Sequence, residues 1–147
     1  MVNEIIEGVS VALDSVFGDG YAIYSSEEVE QGLREPCFFI KAISPSKEPK
    51  LTGRELRTCP LDIHYFSESA GNHAEINRVA GILFESLEYI TLLNSDLLRG
   101  TGMRYEVVNG VLHFFVDYAV HLRTTEQADA MDDLKKDISV KGDSDGI

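Results

Sequence analysis

The chain has 147 residues, 44% of them apolar and 26% charged, which is the make-up of one globular domain with a single core. Its formal charge of −12, from 25 acidic and 13 basic residues, disfavours binding to phosphate backbones, whether sequence-specific or general. No apolar run approaches the ~20 residues of a membrane helix, and the N-terminus carries acids where a secretory leader carries bases, so the expected setting is a cytoplasm.

Residues 2 to 17 are predicted to form the first helix, because Val2, Ile5, Ile6, Val9, Leu13, Val16 and Phe17 recur at spacings of three and four. Gly8 weakens that helix by about 1 kcal/mol relative to alanine, so packing has to hold it. Gly18-Asp19-Gly20 ends it. Tyr21 to Tyr24 suits a short strand, and Ser25 to Glu35 is polar with no clear period. Pro36 opens a strand expected over Cys37 to Ile43. A turn-rich connection, residues 44 to 50, leads to a return strand over Arg54 to Phe66, with Pro60 marking a bulge or an edge.

The second helix is expected over Asn72 to Ile90. Asn72 is a natural N-cap with Glu75 three residues on, and Ile76, Val79, Leu83, Leu87 and Ile90 make one stripe. Gly100-Thr101-Gly102 suggests a turn. Arg104 to Val108 then pairs with Val111 onward across Asn109-Gly110, the strongest short hairpin signal. In the last strand Leu112, Phe114, Val116, Tyr118, Val120 and Leu122 alternate with His113, Phe115, Asp117, Ala119 and His121. The order helix, strands, helix, hairpin gives an α+β fold: a mainly antiparallel sheet of four to five strands with two main helices on one face. Residues 1 to 123 make one domain. Residues 124 to 147 form an acidic extension, with a short helix and then a mobile tail expected from composition.

Chemistry is sparsely signalled. Cys37 and Cys59 lie far apart without a C-x-x-C pattern, so they read as buried thiols, with a disulfide as the other reading. His64, His73, His113 and His121 lack the spacing of a metal motif, the glycine pairs lack the lysine or helix start of a phosphate cradle, and no nucleophile motif occurs. No catalytic residue, metal or cofactor is therefore expected. His64 or His121 beside Asp62 or Asp117 leaves a small hydrolase as an alternative, although polar residues at alternate strand positions are simply a solvent face.

One electrostatic feature stands apart. Lys41, Lys47, Lys50, Arg54 and Arg57 face only Glu48 and Glu55 within residues 41 to 57, so this segment carries +3 and the remainder −15. It reads either as a solvated hairpin whose lysines blunt an edge, or as an arm meeting an acidic face on a second copy.

Three blocks carry a family resemblance: Gln31 to Ile40, the stretch Asp62-Ile63-His64-Tyr65-Phe66, and the Tyr105 to Val116 hairpin. Together with the element order they resemble the phage tail terminator family over residues 1 to 123. Ser67 departs from the family, where proline is expected, and the acidic tail after Arg123 has no counterpart. The resemblance implies a non-enzymatic virion assembly protein of a phage or prophage. It implies a ring, usually of six subunits, on the head-proximal end of the tail tube, halting tube polymerisation and offering a docking surface to the neck. The implied partners are other copies of the chain, tube and neck or connector proteins, with DNA passing without specific binding and no membrane. On that basis the 41 to 57 basic residues are expected at the subunit interface, and Glu27, Glu28 and Glu30 or the C-terminal acids near the lumen or rim. An acidic DNA mimic is the competing class, resting on net charge alone.

Overall fold

The apolar stripe of residues 2 to 17 folds as expected. In the computed structural model, which describes residues 1–25, 34–68 and 72–123, helix α1 spans Val2–Phe17 and buries Ile5, Gly8, Val9 and Leu13. The expectations placed on residues 26–33, among them Glu27, Glu28 and Glu30, and on 124–147 lie outside the described residues. Gly8 is held by packing. A Cβ there would meet the Leu92 side chain at 3.2 Å and the Thr91 carbonyl at 3.3 Å, so the glycine lets the helix approach its neighbour closely.

Seven strands accompany two helices: β1 Ala22–Ser25, β2 Cys37–Ala42, β3 Ser46–Pro49, β4 Arg54–Phe66, β5 Tyr89–Thr91, β6 Leu97–Val108 and β7 Val111–Arg123, with α2 at His73–Ser86 between β4 and β5. The chain divides into two units. One comprises residues 1–44 and 59–118, and the other residues 45–58 with 119–147.

In the first unit the strands run in the order β1-β2-β4-β7-β6-β5. β2 lies antiparallel to β4, with Phe39 opposite His64 and Lys41 opposite Asp62, and β6 lies antiparallel to β7. The sheet is mixed and larger than the four or five antiparallel strands expected, because β1 joins β2 in parallel and two further strands pair where none was anticipated.

Period-two alternation decides which side chains meet the helices. Leu61, Ile63 and Tyr65 of β4 and Leu112, Phe114, Val116 and Tyr118 of β7 are buried. Phe17 of α1 packs on Phe38, with ring centroids 4.8 Å apart, and Phe38 lies 5.0 Å from Tyr65. Phe84 of α2 meets Phe114 edge-on at 5.1 Å. Both helices therefore share the face carrying Phe38, Tyr65 and Phe114.

The second helix is shorter than its stripe suggests. Asn72 caps it by accepting from the Glu75 N–H at 3.1 Å, but the Glu75 carboxylate turns to the Tyr65 and Ser67 hydroxyls instead of closing a capping box. The helix stops at Ser86, and Ile90, expected within it, is buried on β5. Tertiary partners take over the freed carbonyls: the Tyr118 hydroxyl donates to Leu87 O at 2.6 Å, and the Gly100 N–H donates to Glu88 O at 2.7 Å.

Gly100-Thr101-Gly102 is not a turn. It lies inside β6, and the register shift between Thr101 and Arg104 makes it a bulge with Gly102 at φ 61°. A Cβ on Gly100 would stand 2.7 Å from Leu87 O, so close approach explains that glycine. Asn109 (φ 53°) and Gly110 (φ 77°) form the expected hairpin turn between the paired Val108 and Val111. Pro60 sits where the partner of β4 on one side changes from β3, which pairs with 55–58, to β2, which pairs with 61–66, a gap in the pairing that suits a residue without an N–H.

Candidate functional site: a charged hairpin and a half-buried Asp–His cluster

Residues 44 to 50, read from sequence as a plain connection, build a hairpin in the second unit. β3 pairs with the start of β4, from Ser46 opposite Thr58 to Pro49 opposite Glu55. All four β3 residues are exposed, as suits a charged edge. At the tip, Thr52 and Gly53 take positive φ, and Leu51 is 86% exposed.

Four of the five singled-out cations stand on this hairpin, while Lys41 belongs to β2. Their charges are partly answered from within. Lys47 approaches Glu55 at 3.6 Å, Arg57 Nε donates to the same carboxylate at 2.8 Å, and Lys50 lies 3.3 Å from Glu48. Arg54 has no ion pair among the described residues. The hairpin thus presents one unanswered guanidinium beside an apolar tip, and Lys50–Glu48, the pair exposed on both sides, contributes little to stability.

A second constellation lies in the first unit, on the sheet face opposite the helices. Phe39, His64, Phe66, His113 and Phe115 project from β2, β4 and β7. The His64 ring lies 5.4 Å from Phe39, 6.2 Å from Phe66 and 4.2 Å from His113. Arg104 of β6 lies 4.3 Å above the Phe115 ring and extends the ribbon by a cation–π contact.

Asp62 sits among these rings and is only 8% exposed. Its Oδ2 lies 3.2 Å from His113 Nδ1 and 3.0 Å from His64 Nε2. An ionised carboxylate only accepts, so the His113 contact places the proton on Nδ1, which donates to Asp62. The His64 contact lacks the alignment of a hydrogen bond, leaving both His64 Nε2 and Asp62 Oδ1 buried without a partner. Burial pushes the His64 ring below the usual histidine range, opposed by the Asp62 charge and reinforced by His113 and Lys41.

Sequence reasoning paired His64 with His121 and missed His113. His121 is exposed near the end of β7, and the ring beside His64 is that of His113. Asp117 lies by the β6 bulge, where its backbone carbonyl accepts from the Thr101 hydroxyl at 3.3 Å. The only available signal for His113 was its strand parity, which does not say which strand lies alongside. His73 begins α2 and is exposed. Cys37 and Cys59 are both buried free thiols, and burial, aided by the Glu35 charge, pushes Cys37 up to about 11.

No described helix is long and apolar enough to cross a membrane. These features define an α+β protein in which two helices accompany a mixed sheet. Residues 4–130 match the family model described as phage tail terminator protein, and the chain belongs to that family. It is accordingly a protein of phage tail assembly. No curated protein matches the chain.

Proposed function

We propose that this protein terminates a phage or prophage tail without catalysing any reaction. Copies assemble into a ring, six subunits in the family's usual form, on the head-proximal end of the tail tube. The ring stops tube polymerisation and gives the neck or connector its docking surface. The family match over 127 of the 147 residues, 4–130, carries this reading.

The β3–β4 hairpin is the proposed contact arm between subunits. Its exposed Leu51 offers an apolar tip, and Lys47, Lys50, Arg54 and Arg57 face a partner whose remaining surface is strongly acidic. Lys41, the fifth basic residue of the 41–57 segment, is proposed as a separate subunit contact on β2. Glu27, Glu28 and Glu30, or the C-terminal acids, line the lumen or rim in this reading, where negative charge lets DNA slide past. The protein assembles in the bacterial host cytoplasm and ends in the tail of the virion.

Purified protein mixed with purified tail tubes tests the proposal. Light scattering should report a species several times the 16.3 kDa chain mass, alone or on tubes, and electron microscopy should place a cap at one tube end. A strict monomer that leaves tube length unchanged refutes it. A substrate-turnover activity lost in His64→Ala would move the protein to the hydrolase class instead.

A further inference from the structure

We propose that Asp62, His64 and His113 form a binding site for a divalent transition-metal ion, with zinc the best match to the ligand set. The site is independent of tail termination, and nothing in the tail-terminator reading requires it.

Several observations converge on a cation. The three side chains come from two strands, and one ligand atom from each lies within 4.8 Å of the other two. In a tetrahedral site with bonds of ~2.0–2.1 Å to nitrogen and oxygen, ligand atoms stand ~3.3 Å apart. The two separations about Asp62 Oδ2, 3.0 Å and 3.2 Å, are close to that edge. Two imidazoles and a carboxylate suit zinc better than magnesium or calcium, which take oxygen ligands.

Polar bookkeeping gives independent support. A carboxylate whose side chain is only 12% exposed should have its oxygens paired, yet Asp62 Oδ1 has no hydrogen-bond partner, and His64 Nε2 makes no aligned hydrogen bond although it lies 3.0 Å from Asp62 Oδ2. One ion held by the Asp62 carboxylate and His64 Nε2 would satisfy that nitrogen and offset the carboxylate charge. Binding would also displace the proton from His113 Nδ1 to solvent and convert its hydrogen bond into a ligand bond. The surroundings fit: Phe39, Phe66 and Phe115 form an apolar collar that holds the rings in place. Lys41, whose charge acts on His64, is opposite Asp62 on β2 and is exposed. Among the described residues the site has three ligands, which leaves a position for water.

Full-length protein stripped with chelator and titrated with Zn²⁺ by calorimetry should bind one equivalent per chain, with protons released. Co²⁺ should give the visible absorption bands of a four- or five-coordinate nitrogen and oxygen site. His113→Gln and Asp62→Asn should each weaken binding by at least about tenfold, whereas His121→Gln, outside the cluster, should bind as the parent does. Because a cluster variant can lose its fold, circular dichroism of each metal-free form is recorded alongside. The parent titration stands without them: absence of saturable Zn²⁺ binding overturns the site, and so does binding that survives in a folded His113→Gln protein.

Discussion

Reversing Lys50 and Arg54 to glutamate probes the hairpin where its charge is least committed. Lys50 is answered only by the exposed Glu48 at 3.3 Å, and Arg54 by no acid among the described residues. Each reversal removes one positive charge and adds a negative one, so the 41–57 segment falls from +3 to −1. An exposed ion pair contributes about 0.2–1 kcal/mol, and reversal replaces that attraction with repulsion of similar size. Two reversals should therefore weaken each subunit contact by about 1–4 kcal/mol, a factor of roughly 5 to 1,000 in its dissociation constant. The fold itself should hardly respond, since these side chains cover no core.

The assay is light scattering over a concentration series, at low salt and at several times physiological salt. With a Debye length of ~10 Å at 0.1 M and ~3 Å at 1 M, the gap between parent and variant should be widest at low salt and narrow as salt rises. Lys50→Gln with Arg54→Gln should fall between the two. If the reversed protein assembles at the parent concentration and with the parent salt dependence, the hairpin is a solvated edge and the charge reasoning is wrong.

Two further perturbations test the packing that supports these surfaces. Burial alone would raise the Glu75 carboxyl, but hydroxyls of Ser67 and Tyr65 and the Arg78 charge hold it below the usual carboxylate range. Its contribution is then fully present above the unfolded-state value and is lost as pH falls through the lower folded value. Thermal melts should thus weaken on acidification below about pH 4.5, and Glu75→Gln should flatten that part of the profile. Because Glu75 is partly exposed, Glu75→Ala should cost about 2 kcal/mol, near the low end for charge-assisted bonds, and lower Tm by roughly 6 °C. Gly100→Ala and Gly81→Ala should move stability in opposite directions. The first drives a Cβ to 2.7 Å from Leu87 O and 2.8 Å from Val116 Cγ2 and should cost about 2–3 kcal/mol in denaturant melts. The second meets nothing within 4 Å on an exposed turn of α2 and should gain about 0.5–1 kcal/mol.

Local chemistry was readable wherever the signal and its cause lay within a few residues. The stripe of α1, the Asn72 cap, the Asn109-Gly110 hairpin and the bounds of β4 follow from periodicity and turn stereochemistry, which depend only on near neighbours. The second helix was overextended because Ile90 continues an apolar period that a buried strand satisfies equally well. Only tertiary structure supplies the Tyr118 hydroxyl and the Gly100 N–H that donate to Leu87 O and Glu88 O just past the helix end. Gly100-Thr101-Gly102 was misread for the same reason, since glycine serves a turn, a bulge and a close approach alike.

By itself the chain determined its two-helix, sheet-forming make-up, its acidic balance and the blocks that relate it to tail terminators, because these are properties of composition and short spacing. The tertiary structure alone decided that β1 runs parallel to β2, that the basic residues 47–57 stand on a hairpin, and that His113 meets Asp62 and His64. Each of these depends on which strands become neighbours. Strand pairing over long sequence separation is set by the burial of whole faces at once, and no local window records it.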